Sequence, residues 1–238
     1  MVIEDMRNTG VMGTPEEWFV PWDPSKDHVD WQDALSSVIK RATSENGTMA
    51  IKVMANQLHN VENCLSSFMS SDEVSTFPRV AKIFEGAIWI KLTRRDIVGQ
   101  AISRVMSRQT GINHATAHAG DEHFAGNLQA GYQADYNQNT IYKYGAILKE
   151  VAAISLENLA WERFFETNGL TATELFYEDI AADRDMAHLD LIAHLAGITE
   201  PFERTDRKLV KLANNKNKVW RNRFFQDAAA KNFRVRQM

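Results

Sequence analysis

The sequence predicts an α/β fold: a parallel sheet flanked by helices. Three observations carry the prediction. Short apolar runs suited to buried strands occur at residues 47–53 (GTMAIKV), 87–92 (AIWIKL) and 173–177 (TELFY). Stretches with apolar residues at helical spacing separate them, and strands alternating with helices imply parallel strands covered on both faces. The chain has 238 residues, 44% of them hydrophobic, enough to bury a sizeable core. No linker-like tract interrupts it, so residues 1–238 read as one domain.

Each element follows from a local signal. Residues 1–9 read as the later turns of a helix, and Gly10 and Gly13 punctuate a turn after it. Thr14-Pro15-Glu16-Glu17 reads as a helix start, with threonine as N-cap, proline at the first position and glutamate at the third. Trp18, Phe19, Trp22 and Trp31 make the next stretch aromatic, so it packs against something apolar. Residues 33–44 read as helical, with Leu35, Val38, Ile39 and Ala42 on one face. Residues 61–69 and 74–84 read as short helices, broken by Ser70-Ser71-Asp72 and Pro78. A helix over residues 96–110 brings Ile97, Ala101, Val105 and Arg108 to helical spacing. Residues 114–137, rich in His, Gly, Gln and Asn, read as a long polar loop, which in a compact domain is usually functional or mobile. Residues 142–167 form the longest helix, with Ile147, Leu148, Val151, Leu159, Trp161 and Phe165 as its buried positions, and Asn168-Gly169 ends it. Asp183 caps a further helix that runs to Ala196 and closes at Gly197.

Composition narrows the class. A single cysteine, Cys64, allows no internal disulfide and suits a reducing cytoplasm. No apolar run approaches a transmembrane span, and the opening MVIEDMRNTG is not a secretory signal. The expected location is therefore cytoplasmic. The net charge of −4 hides an asymmetry: residues 204–238 hold 11 Lys and Arg against Asp206 and Asp227, a balance of +9 that leaves −13 on the rest. That segment either lies near an anionic ligand or forms a solvated, charge-rich terminal helix.

Four segments carry candidate chemistry. In residues 90–111 (IKLTRRDIVGQAISRVMSRQTG) a strand runs into Arg94-Arg95 and then a helix, with Ser103 eight residues beyond Arg95. A guanidinium at the helix mouth and a hydroxyl two turns further in can hold one phosphate from two directions. The bland alternative is a pair of solvated arginines and a chance serine. Residues 13–19 (GTPEEWF) hold Glu16 and Glu17, for which a capping role is sufficient. Tyr177-Glu178-Asp179 closes a strand at the end where open α/β sheets bind ligands, and equally suits an acidic helix start. Residues 214–225 (NNKNKVWRNRFF) offer Lys216, Lys218, Arg221 and Arg223 to phosphates, or dock a terminal helix through Val219, Trp220 and Phe224. His114, His118 and His123 hint at a metal, but the glycines around them favour a loop and no cysteine is close, so no metal site is assigned.

The words LTRRDIVGQAIS, RQTG, NLAWERFF and ELFYED, in this order and at these distances, resemble the bacterial trehalose 2-sulfotransferase family and its lipopolysaccharide and Nod-factor sulfotransferase-like relatives. The resemblance covers nearly the whole chain. It implies a P-loop-NTPase-like parallel sheet and transfer of a sulfuryl group from 3′-phosphoadenosine 5′-phosphosulfate (PAPS) to a carbohydrate or glycolipid hydroxyl. It implies no metal cofactor and no nucleic-acid partner, and it admits a homo-oligomer. Carried over by position, Arg95 and Ser103 hold the 3′-phosphate with Arg94 assisting, and Arg221 and Arg223 lie near the nucleotide. Glu17 is the general base, with Glu16 as the fallback. The 114–137 loop and the 18–31 aromatic region would shape the acceptor site.

One departure from the family stands out. Its members begin with a strand and an Arg-Ser-Gly-Ser-Thr-like loop that wraps the 5′-phosphosulfate, and no such tract occurs in residues 1–238. The first strand and the phosphosulfate loop are thus expected to be missing, by truncation or by natural loss. Two rival functions follow: a catalytically inactive relative that binds 3′-phosphoadenosine nucleotides, and a nucleotide-phosphate kinase on the same fold. The kinase would need a Walker lysine and a magnesium carboxylate, and neither is visible.

Overall fold

The computed structural model describes residues 1–235. The chain divides into two units, one built from Met1–Thr93 and Glu157–Asp206, the other from Arg94–Leu156 and the residues from Arg207 onward. Both contain helices and short strands, so the class is α/β, with a small parallel sheet flanked by helices.

The first unit opens with α1 (Val2–Asn8), α2 (Trp31–Ala42), α3 (Leu58–Leu65) and α4 (Pro78–Ile83). The run at 87–92 forms β1 (Trp89–Thr93). It pairs in parallel with the strand Ala172–Phe176, in a register that sets Trp89 beside Ala172 and Thr93 beside Phe176. Successive strand residues face opposite ways. Trp89 accordingly joins an aromatic core with Phe84, Phe164 and Phe165, while Ile90 joins a second cluster with Met12, Met186 and Leu189. Each face of the pair thus meets an apolar cluster, although Leu92 further along β1 is exposed. Asp30 caps α2 by accepting from the Gln32 and Asp33 N–H groups, both at 3.0 Å. The aromatic stretch behaves as expected: Phe19, Trp22 and Trp31 are buried together.

The second unit holds α5 (Ile97–Thr110), β2 (His114–Thr116) and β3 (Leu128–Gln129). α6 (Tyr144–Thr167) starts in this unit and supplies its last turns to the first. The strand already paired with β1 is β4 (Ala172–Phe176), followed in the first unit by α7 (Tyr177–Ala182) and α8 (Ala187–Ala196). β5 (Leu209–Val210) and α9 (Asn215–Val235) complete the second unit. There β2 pairs in parallel with β3 and antiparallel with β5. Ile102 and Met106 of α5, Ile147 and Ile154 of α6, and Trp220 and Phe224 of α9 form one buried cluster.

Several expectations need correction. Residues 47–53 are not a strand, and only Met49 bridges to Thr43. The reason lies in the partners: the Ala50 N–H bonds the Ala42 carbonyl and the Lys52 N–H bonds that of Glu16, so two different segments share the donors and no ladder forms. Thr14-Pro15-Glu16-Glu17 starts no helix. Thr14 instead donates its N–H to the Ala42 carbonyl and its hydroxyl to that of Arg41, and these bonds hold the segment extended against residues 41 and 42. The 114–137 segment is not wholly loop, since β2 and β3 lie in it. Helix α8 begins at Ala187, later than expected, although Asp183 still accepts from the Ala187 N–H at 2.7 Å. Ile39, Leu148, Leu159 and Val219 are exposed. For α6 the geometry explains it: Ile147 and Ile154 mark the buried face, and Leu148 stands about 100° further round.

Candidate active site

Glu17 follows an extended segment that lies against residues 50–52. At Gly13 (φ 76°) the approach is so close that a Cβ would stand 2.5 Å from the Ala50 nitrogen, and only glycine fits. Past Glu17 the chain turns through hydrogen bonds from Val20 N–H to the Glu17 carbonyl and from Trp22 N–H to the Phe19 carbonyl. Phe19 and Trp22 enter the core, so Glu17 is held beside it with its carboxylate partly open to solvent. Lys52 donates from Nζ to its Oε1 at 2.5 Å, and Gln57 reaches its Oε2 from Nε2 at 3.5 Å. Gln57 is buried, and its own Oε1 accepts from the Met54 N–H at 3.0 Å, which fixes the direction of its amide. Glu16 points elsewhere, into an ion pair with Arg7 of α1. The capping role that the sequence suggested for Glu17 is therefore replaced by a cluster of one carboxylate, one ammonium and one amide.

In the second unit Arg95 is exposed, immediately ahead of Asp96, and Arg94 is half-buried. Asp96 is the N-cap of α5 and accepts from the Gly99 N–H at 2.9 Å. A Cβ at position 99 would fall 2.5 Å from Asp96 Oδ2, so glycine lets the aspartate keep this capping position. Ser103 lies half-buried six residues beyond the first residue of α5, about 9 Å along its axis. The helix mouth is thus occupied by an aspartate, and a phosphate held here would rely on the Arg95 and Ser103 side chains rather than on the first-turn N–H groups.

The basic helix α9 spends several of its cations internally. Arg221 donates from Nε to Asp96 at 3.2 Å and lies 5.1 Å from the Phe225 ring centroid. Arg223 sits 4.2 Å over Tyr142, whose hydroxyl donates to Asp227 at 2.8 Å. Burial first, then the Asp227 carboxylate, pushes the Tyr142 phenol up to about 12. Lys216 is held by the carbonyls of Asn137, Gln138 and Thr140 at 2.7–3.0 Å. Arg221 and Arg223 keep roughly half of their side-chain surface open.

The remaining candidates fall as follows. Glu178 and Asp179 stand in the first turn of α7, where acidic side chains favour the helix dipole. Trp22 and Trp31 are core residues, so of the aromatic region only Trp18 keeps an open edge; Arg41 covers its ring at 4.1 Å. His123 uses Nδ1 to accept from the Ala125 N–H and stacks on Phe124. Among the described residues no three His, Cys, Asp or Glu side chains gather as a metal-ligand group. Among the described residues no helix is long and apolar enough to cross a membrane. Lys52 and Gln57 were missed in the sequence because they meet Glu17 only through tertiary structure. For Asp96 the unused signal was an aspartate just ahead of an apolar helical run, a common N-cap.

A protein-family model described as Stf0 sulphotransferase matches residues 1–227. No curated protein matches the chain. A match over nearly the whole length, by the same family whose words appear in the sequence, leaves one conclusion: the chain belongs to the Stf0 sulphotransferase family, the trehalose 2-sulfotransferase family.

Proposed function

We propose that this protein, as one domain over residues 1–238, transfers a sulfuryl group from PAPS to a hydroxyl of a carbohydrate or glycolipid in the cytoplasm. The observation that carries the reading is the family match over residues 1–227. PAPS, when bound, supplies an activated sulfuryl group on a phosphate leaving group. Arg95 and Ser103 hold its 3′-phosphate, with Arg94 assisting, and the open faces of Arg221 and Arg223 add positive charge on the nucleotide side. An exposed guanidinium and a helical hydroxyl fit a phosphate dianion in charge and in donor number. Glu17 accepts the proton of the acceptor hydroxyl as that oxygen bonds to sulfur and the bond from sulfur to the 5′-phosphate oxygen breaks. The product nucleotide is adenosine 3′,5′-bisphosphate. Both glutamates have a cationic partner, and Glu17 is preferred to Glu16 because its carboxylate is the more open.

Calorimetry on two nucleotides tests the donor assignment. Arg95→Ala is expected to weaken binding of adenosine 3′,5′-bisphosphate by about 10–100-fold, the effect of losing a charge-assisted pair. Binding of adenosine 5′-monophosphate should barely change. Equal losses for both ligands would remove Arg95 from the 3′-phosphate.

Transfer itself is tested with labelled PAPS and a panel of sugars and glycolipids. Residues 1–238 hold no Arg-Ser-Gly-Ser-Thr-like tract, so these residues alone are expected to transfer slowly. A chain carrying such a strand and loop ahead of α1 is expected to gain at least about 10²–10³-fold, the effect of a single preorganised anion donor. Equal turnover by both versions would show that the 5′-phosphosulfate is held in another way.

A further inference from the structure

We propose that Lys52 and Gln57 are positioning residues that fix the orientation of the Glu17 carboxylate; the proposal rests on the reading of Glu17 as the base. Three features of the first unit carry it. Each Glu17 oxygen faces a different donor, Lys52 Nζ at 2.5 Å and Gln57 Nε2 at 3.5 Å. Both donors sit on anchored backbone. Gln57 is only 7% exposed and its amide is aimed by the Met54 N–H. Lys52 has its backbone anchored, its N–H donating to the Glu16 carbonyl at 3.0 Å, and its Nζ is held by Glu17 itself. The segments that carry Glu17 and Lys52 are pressed together at Gly13 and Ala50, so the pair hangs from one rigid strut.

A carboxylate offers about four acceptor positions, and two donors leave two of them for an incoming hydroxyl. With both oxygens held, those positions point in set directions. Without Lys52 the group turns about its last side-chain bonds and presents the wrong edge for much of the time. A misplacement of about 1 Å in a reacting group costs about 10²-fold in rate. Stability is not the reason for the pair. Lys52 and Glu17 keep 31% and 37% of their side-chain surface, and an ion pair that open contributes little to folding. Orientation and stability can therefore be separated by experiment.

The test uses whichever of the two chain versions turns over in the labelled-PAPS assay. Lys52→Met is expected to lower kcat by about 10–100-fold, leave KM for PAPS within about 2-fold and leave the urea midpoint unchanged. Lys52→Arg, which keeps a cationic donor, should recover most of the rate. Gln57→Leu should lower kcat by a smaller factor. In protein with isotope-labelled lysine, the Lys52 ammonium resonance, identified by its loss in Lys52→Met, should shift in Glu17→Gln and stay in place in Glu16→Gln. If Glu17→Gln abolishes transfer while Lys52→Met leaves kcat intact, the positioning role is wrong and the base survives. If Glu17→Gln retains full turnover, the base assignment falls and takes this inference with it. Absence of turnover in both versions overturns the sulfotransferase reading itself.

Discussion

Glu17→Gln is expected to lower the kcat for sulfuryl transfer by about 10²–10⁴-fold, the usual contribution of a positioned general base. The substitution keeps the shape of the side chain and one of its acceptor oxygens, so packing is undisturbed. It removes the group that takes the proton. Affinity for adenosine 3′,5′-bisphosphate should stay unchanged, because on this reading the nucleotide is held by Arg95 and Ser103. Glu16→Gln is the matched control. It breaks a partly exposed ion pair with Arg7, worth about 0–1 kcal/mol in stability, and should leave kcat near that of the parent. The reverse outcome, with Glu16→Gln inactive and Glu17→Gln active, would move the base by one residue. Loss of nucleotide binding in Glu17→Gln would point to a misfolded variant or to a donor role for Glu17, and would remove the simple base.

What the sequence revealed and what it hid can be told apart residue by residue. β1 was legible from the apolar run Ala87-Ile88-Trp89-Ile90 and β4 from Leu175-Phe176-Tyr177 beside Thr173, and the boundaries shifted by no more than two residues. α5 was legible from the spacing of Ile97, Ala101, Val105 and Arg108, and the structure adds Asp96 as its N-cap and Gly111 as its C-cap. Residues 14–17 failed because capping is a local argument. Thr14 found carbonyls on residues 41 and 42, and tertiary bonds overrode the local signal. Residues 47–53 failed for a related reason: strand propensity was present, but the neighbouring backbone belonged to two segments rather than one. Leu148 and Leu159 were misplaced because α6 is apolar on more of its circumference than it buries, so spacing alone could not select the face. The Glu17 cluster was half legible. The carboxylate came from a motif, while Lys52 and Gln57 lie 35 and 40 residues away and carry no local mark. At α9 the sequence showed positive charge, but not that Lys216 would be absorbed by three carbonyls or Arg221 by Asp96.

Phe19→Ala is expected to cost about 3–5 kcal/mol of folding stability, the range for emptying a buried phenylalanine site. Phe19 is 1% exposed and meets Trp22 edge-on at 4.9 Å and Phe84 at 6.2 Å. The neighbouring rings of Trp22, Trp31 and Phe84 are bulky and are themselves fixed by further contacts, so the site cannot collapse to fill the space. Against a total of about 5–15 kcal/mol, such a loss brings the protein close to unfolding at room temperature. Val20→Ala, one residue away at 65% exposure, should change stability by no more than about 0.5 kcal/mol. Urea unfolding of both variants against the parent makes the comparison, with an unchanged slope required for the midpoints to be read as stability. On the reading of Glu17 as the base, the same substitution should also lower turnover. Phe19 is the anchor of the turn in which the Val20 N–H bonds the Glu17 carbonyl, so turnover in Phe19→Ala should fall even at temperatures where the protein remains folded. A fully folded Phe19→Ala variant with parental kcat would show that the Glu17 segment is held by its bonds to residues 50–52 alone, and that the aromatic core beneath it supplies stability without directing the base.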